Sequence, residues 1–306
     1  AIGEALKCNG TLTELSLGYQ HIGPSGATAI AEALKGNGVL NKLELYDNKI
    51  GDDGAQAIAK TLEVNDTLTT LSLSDSGRRV SAGGHAGGMA TLNLSGYHST
   101  VHQSIDHQGA IAIAKALEFN GALTDLDTRG AMNSAPGHVA QQLAAAVLAS
   151  TPLQMFGVVP IRELRADRLT VIDLGGKNLG PAEAIVIAEL TKASAVLTVL
   201  ALYRNSIGDE GATAIAEALE GNNVLTELNL ANNSNIGPSA AIAIAKALRI
   251  NEDLKLEKLV VPRRISRQRE ELWAACEAKG VAVYVDKVDG RFRFPMTTAA
   301  YRAEMT

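Results

Sequence analysis

The 306-residue chain carries a formal net charge of -5, with 46% apolar and only 4% aromatic residues. So small a net charge gives no electrostatic footprint for nucleic acid or a membrane surface, and no apolar run approaches the ~20 residues that span a bilayer. With few aromatics, the core has to be built from small aliphatic side chains in increments, which favours a stacked array over a globule.

The opening AIGEALKCN matches AIAEALKGN at Ala29–Asn37 with a displacement of 28 residues. The sequence is therefore expected to start inside a repeat helix, so that either more chain lies upstream or an N-terminal cap is lacking; targeting is unreadable. Cys8 lies in this first helical pattern and Cys276 in another far along the chain. Both are read as free, buried or half-buried thiols, because two distant cysteines make no disulfide framework.

LTELSLGYQHIGPSGATAIAEALKGNGV from Leu12, LNKLELYDNKIGDDGAQAIAKTLEVNDT from Leu40 and LTTLSLSDSG from Leu68 align without gaps at a period of 28. The same template returns from Leu197 (LTVLALYRNSIGDEGATAIAEALEGNNV) and Leu225 (LTELNLANNSNIGPSAAIAIAKALRIN), and Leu169 lies 28 before Leu197. Fixed-period recurrence of this kind marks a repeat architecture.

Each unit reads LxxLxL, a turn with Asn, then IGxxGAxAIAxAL. The alternation in Leu40, Leu43 and Leu45 predicts a short strand with one buried face. Gly23-Pro24, Gly180-Pro181 and Gly237-Pro238 place proline in a helix's first turn, where no intrahelical donor is needed. Asp52 and Asp209 take that region in other units and favour the positive helix start. Ala27, Ile30, Ala33 and Leu34 are small and apolar at helical spacing, so helix and strand can pack closely. One strand and one helix cannot bury a core alone, so units must stack, with a parallel inner sheet and outer helices. Asn48, Asn205 and Asn233, just after their strands, are expected to satisfy turn backbone groups that have no sheet partner.

The LxxLxLxxN turn followed by IGxxGAxAIAxAL resembles the ribonuclease-inhibitor-like class of leucine-rich repeats, which includes the repeat arrays of nucleotide-binding innate sensors and of Ran GTPase-activating proteins. The resemblance runs from Ala1 to roughly Asp286 and implies an α/β fold, a right-handed solenoid (horseshoe) with a parallel inner sheet and outer helices. It implies architecture and not a reaction, because the class shares no chemistry.

Two stretches depart from the template. SDSGRRVSAGGHAGG precedes MATLNL, whose Met89, Leu92 and Leu94 fit the strand 21 residues after its predecessor, so the connecting helix is expected to be replaced by a glycine-rich loop within 76–104. SAGGHAGG has no following Lys-Ser/Thr and is read as a surface loop rather than a phosphate cradle. His85, His98, His102 and His107 cluster here, but their Ser, Gly and Thr neighbours make them exposed loop residues rather than metal ligands. Further on, PGHVAQQLAAAVLAS is a helix capped by Ser134, and Leu153 and Phe156 begin a strand only 16 residues before the Leu169 strand. No helix is expected between these strands. The seam divides the chain into sub-arrays at 1–150 and 151–286.

Leu256, Leu259 and Val261 continue the strand row, ISRQREELWAACEAKG gives a more charged helix, and VAVYV a last strand. Trp273 and the charge suit a capping unit with one face in water. Arg263, Arg264, Arg267 and Arg269 are read as a solvated helix start, and residues 287–306 as a tail.

On this template the residues between the strand leucines face the concave side and are free to specialise. The expected partner-binding residues are Glu14, Lys42, Glu44, Tyr46, Asp125, Asp127, Asp173, Tyr203, Glu227 and Asn229, a mixed row that leans acidic, with two tyrosines suited to contacts. The function expected is a non-catalytic scaffold that holds a protein partner with a basic or polar surface through this concave face and the irregular loops. No Ser/His/Asp set, paired carboxylates or metal ligands stand out, and no cofactor is expected. Two alternatives are a structural subunit of a larger assembly and a regulator of a small GTPase. The latter is suggested only by the resemblance, with Arg129, Arg204 and Asn205 as contributors.

Overall fold

The computed structural model describes residues 1–45, 48–72, 91–93, 107–127, 136–262, 265 and 269–285. The chain divides into two compact units, Ala1–Pro160 and Ile161–Thr306.

In the first unit, helices α1 (Ile2–Cys8), α2 (Pro24–Leu34), α3 (Gly51–Leu62), α4 (His107–Leu117) and α5 (Gly137–Ala149) alternate with strands. These are β1 (Glu14–Ser16), β2 (Lys42–Glu44), β3 (Thr70–Ser72), β4 (Thr91–Asn93), β5 (Asp125–Asp127), β6 (Met155–Phe156) and β7 (Val159–Pro160). The strands form one sheet in chain order, parallel except for the antiparallel pair β6 and β7. Register places Leu15, Leu43, Leu71, Leu92, Leu126 and Phe156 side by side. Leu43, Leu71, Leu126 and Phe156 are buried against the helix layer.

The second unit comprises α6 (Ile161–Arg165), α7 (Pro181–Lys192), α8 (Gly208–Leu219), α9 (Pro238–Ile250) and α10 (Arg269–Lys279). Its strands β8 (Val171–Asp173), β9 (Val199–Ala201), β10 (Glu227–Asn229), β11 (Lys258–Val261) and β12 (Ala282–Val285) form a five-stranded, all-parallel sheet in chain order. Ile172, Leu200, Leu228, Leu259 and Val283 share one register and are buried. Each unit is thus an α/β leucine-rich-repeat array, because its strands turn one leucine row to the helix layer that covers it.

Pro24, Pro181 and Pro238 open α2, α7 and α9 directly after a glycine, where the missing N–H costs nothing. Along α2 and α9 the buried side chains are largely alanine, as in Ala27, Ala31 and Ala33 of α2. Close approach follows: a Cβ built on Gly211 of α8 would lie 2.7 Å from the Ala184 Cβ of α7.

The turn asparagines act as the sequence suggests. Asn48 Oδ1 accepts from Gln20 N (2.9 Å) and Ile22 N (3.0 Å), and its Nδ2 donates to Leu17 O (2.7 Å) and Leu45 O (3.0 Å). Asn205 repeats all four bonds in the second compact unit, with Lys177 N, Leu179 N, Leu174 O and Leu202 O. Asn233 donates to Leu202 O and Leu230 O, each at 2.9 Å.

A second ladder, not anticipated from the sequence, runs along the helix C-termini through Asn37, Asn65, Asn120, Asn222 and Asn251, all buried. Each Nδ2 donates to a backbone carbonyl of the preceding unit's last helical turn, as Asn37 does to Leu6 O (2.9 Å) and Asn251 to Leu219 O (2.7 Å). Where Ser194 takes this place its side chain is too short, and its Oγ donates to Asp167 Oδ1 instead. Asp167 Oδ2 also accepts from Ala195 N (3.0 Å), and first the Ser194 bond, then the backbone bonds, hold this carboxyl below its usual value.

The ladder locates the first irregularity. Asn65 reaches back 31 residues to Leu34 O, but Asn120 reaches back 58 to Leu62 O. Likewise Gly109 N donates to Asp52 Oδ1 across 57 residues where Gly237 N reaches Asp209 Oδ1 across 28. The α4 unit therefore stacks directly on the α3 unit, although β3 and β4 both lie in the sheet before β5. The 76–104 loop, including His85, His98 and His102, lies outside the described residues except for the strand Thr91–Asn93.

Two expectations are corrected. The stretch between the Phe156 strand and the Leu169 region does hold a helix, the five-residue α6, reached through the antiparallel β7; too short for the repeat's helical template, it nevertheless buries Ile161 and Leu164. Cys8, the last residue of α1, is exposed rather than buried or half-buried, because α1 buries only Gly3 and Leu6, whereas Cys276 is buried as expected. Helix α5 starts after Pro136; Ser134 lies outside the described residues, as do Arg263, Arg264, Arg267 and the tail. Trp273 is buried within the last helix.

Candidate functional site

With the leucine rows turned to the helices, alternation leaves the flanking strand residues on the opposite, open face of each sheet. In the first unit Glu14, Lys42 and Thr70 are cross-strand neighbours, as are Ser16, Glu44 and Ser72. Glu14 is exposed; Lys42 and Glu44 are half-buried. Lys42 Nζ pairs with Glu44 Oε1 at 3.0 Å. The Glu44 bond, opposed by burial, raises the Lys42 pKa. Burial pushes Glu44 upward, but hydrogen bonds from Lys42 and Ser16 outweigh it and hold the carboxyl below its usual value. Pairs this exposed contribute about 0–1 kcal/mol, so they remain available to exchange partners.

Asp125 departs from the expected open row. Only 8% of it is exposed. Desolvation raises its pKa, against a hydrogen bond from Thr124 Oγ1 at 2.7 Å. A covered carboxylate of this kind is not an open contact residue. Asp127 lies in β5 with its side chain outside the described residues, as Tyr46 is altogether. The first unit thus brings together Glu14, Lys42 and Glu44 of the residues expected there.

In the second unit two rows are set by register. The first contains Val171, Val199, Glu227, Lys258 and Ala282; the second contains Asp173, Ala201, Asn229, Val260 and Tyr284. Asp173 is exposed, while Tyr203, Glu227 and Asn229 are half-buried. Val171 is 55% exposed, unusual for a large aliphatic side chain. Glu227 Oε2 pairs with Lys258 Nζ at 2.8 Å, so this acid is already matched by a cation the sequence reading did not select. Asn229 Oδ1 accepts from Ala231 N at 3.1 Å and so also shapes its own turn.

Two residues beyond Asp173, Gly175 forms the seat of Tyr203. A Cβ on Gly175 would fall 2.1 Å from Tyr203 Cζ, 2.2 Å from Cε1 and 2.6 Å from Cε2. The ring therefore lies across the glycine. The sequence held a signal for this contact, since Gly175 precedes Tyr203 by one 28-residue period.

Among the described residues there is no group of three or more His, Cys, Asp or Glu able to hold a metal ion, and no helix long and apolar enough to cross a membrane. The open faces offer carboxylates, a phenol, aliphatic side chains and matched ion pairs, which suit contact with another macromolecule.

A family model described as "Leucine Rich repeat" matches residues 8–31, 37–59, 193–216 and 221–245. Among solved structures, leiomodin-1 actin-binding site 2 is 24% identical, covers 51% of this chain and 75% of its own, and has a TM-score of 0.38. The tropomodulin C-terminal domain of Caenorhabditis elegans is 11% identical, with 52% and 83% coverage and a TM-score of 0.39. The leucine-rich repeat-containing protein LegL7 of Legionella pneumophila is 15% identical, with 99% and 92% coverage and a TM-score of 0.35. No curated protein matches the chain in sequence.

Proposed function

Starting from the leucine-rich-repeat protein that its repeats make this chain, we propose that it is a non-catalytic scaffold holding a protein partner on the open faces of its sheets. The observation that carries this reading is the contrast between the two sides of each strand. The helix-facing position is Leu, Ile, Val or Phe in every strand with described burial beyond β1, and it is buried. The open positions vary from Glu14 through Lys42 and Glu44 to Val171, Asp173, Glu227 and Asn229, as a surface does when packing does not dictate its chemistry. Tyr46 and Asp127 belong to the same proposed row. A partner with a basic or polar surface fits the acidic lean of Glu14, Glu44 and Asp173.

The test is affinity purification of the tagged full chain with mass spectrometry, in parallel for wild type, an E14A/E44A variant, a D173A/Y203A variant and an outer-helix control, E189A/K192A. A partner lost with a sheet-face variant and retained by the control supports the proposal. Equal recovery of every partner by all four refutes it.

A further inference from the structure

The second unit's sheet face carries an aromatic ring with one side against backbone and a carboxylate tethered beside it, a pair whose chemistry selects a particular side chain. Tyr203 lies across Gly175, so the glycine takes up one side of the ring, and the residue as a whole is half-exposed. Asp173, in β8 beside the strand β9 that Tyr203 follows, bends toward the same glycine: its Oδ1 accepts from Gly175 N at 2.9 Å. Its Oδ2 has no partner among the described residues. Gly175 lies in the turn that follows β8, two residues beyond Asp173, and the bond from its N–H sets the Asp173 carboxylate beside the ring's seat. The floor beside them is apolar, made by Val171, Val199 and Ala201.

We propose that Tyr203 on its Gly175 seat and Asp173 form an arginine-recognition subsite for the protein partner, with the guanidinium stacked on the ring face away from Gly175 and donating to Asp173 Oδ2. The occupant is an arginine-bearing segment because the two groups ask for different properties at once. The ring's quadrupole attracts a cation within about 6 Å of its centre. Only a planar cation can stack there and still direct an N–H sideways into the carboxylate, which an ammonium on a flexible stem does poorly. Glu227 already holds a cation of its own, Lys258 at 2.8 Å, whereas Asp173 Oδ2 holds none among the described residues. The same period separates Gly18 from Tyr46 in the first unit, but Ser16 stands where the second unit has Asp173, so the complete pair belongs to the second unit.

This inference rests on the proposed partner-binding role of the sheet face, and its test separates the two. The full chain, with isotope-labelled tyrosine rings, is titrated with the blocked peptide acetyl-Gly-Arg-Gly-amide and with its lysine and citrulline counterparts. The Tyr203 signal is identified with Tyr203→Phe. A saturable shift of the Tyr203 ring with the arginine peptide is expected, with about threefold to fivefold weaker binding by lysine and no shift with citrulline. Asp173→Asn weakens arginine binding by about fivefold to tenfold, and Gly175→Val, which evicts the ring, abolishes the shift. Should Gly175→Val fail to fold, Asp173→Asn and the citrulline peptide still decide. Equal shifts with arginine and citrulline, binding unchanged in Asp173→Asn, or no shift at all overturn the subsite. A partner captured through the sheet face while Tyr203 ignores arginine refutes this inference and leaves the scaffold reading standing.

Discussion

Replacing Asn222 tests whether the second asparagine ladder holds the units together. The residue is 1% exposed. Its Nδ2 donates to Thr191 O (2.9 Å) and Ser194 O (3.2 Å), and its Oδ1 accepts from Val224 N (3.0 Å) and Leu225 N (2.8 Å). Asn222→Ala removes all four bonds. Thr191 O keeps the Ser194 N–H at 3.0 Å, so the larger loss is at the two N–H groups, each costing about 1–3 kcal/mol when buried and unpaired. A destabilisation of about 2–4 kcal/mol is expected in urea unfolding, against less than about 0.5 kcal/mol for the exposed neighbour Asn223→Ala. Asn222→Asp sharpens the test. The new carboxylate can still accept from Val224 and Leu225 but faces two carbonyl oxygens, so its folded pKa is raised and only the protonated form can donate. The folded state then binds more protons than the unfolded one above the ordinary aspartate pKa, and stability falls as pH rises through the folded value. This variant should be less impaired at about pH 4 than at about pH 7 when each is compared with wild type. Equal impairment at both pH values, or an Asn222→Ala cost indistinguishable from Asn223→Ala, would refute the reasoning.

Further outcomes follow from single sites. Asp125, whose folded pKa is raised chiefly by desolvation, loses stability as pH rises from its unfolded pKa through the folded value; Asp125→Asn should flatten that slope in chemical unfolding and be at least as stable as wild type at neutral pH. Gly211→Ala, which on helix propensity alone would stabilise by about 1 kcal/mol, should instead destabilise by about 1–3 kcal/mol, because the new methyl would meet Ala184 Cβ at 2.7 Å and Ile207 Cβ at 3.4 Å; a higher melting temperature would count against the close helix packing. Cys276, with its thiol pushed up to about 12 by burial, should resist a thiol reagent until the chain unfolds, while exposed Cys8 reacts at once. Mass spectrometry of the labelled peptides distinguishes the two, and early labelling of Cys276 would contradict its burial.

The period of 28 was enough to read strands, helices, prolines at helix starts and the roles of Asn48, Asn205 and Asn233, because each is a local rule repeated until chance is excluded. A leucine row can face only one way in a period-two strand, and a single strand and helix cannot hide it without neighbours. Reading the chain one unit at a time also explains what was missed. Asn37, Asn65, Asn120, Asn222 and Asn251 recur visibly, yet their partners lie in the preceding unit's helix end, and only stacking brings those carbonyls within reach. The α6 helix and antiparallel β7 escaped because they follow no template.

For the candidate site the sequence determined which residues alternate onto the open face, and tertiary structure decided what each is free to do there. Asp125 belongs to the row by alternation but is covered, so desolvation removes it from the open surface. Glu227 is matched by Lys258 because register sets β10 beside β11. Tyr203 is a contact candidate in the sequence, but its position over Gly175 beside Asp173 exists only once β8 and β9 are paired. Local pattern fixes which way a side chain points; burial, pairing and seating depend on neighbours that only the folded chain brings together.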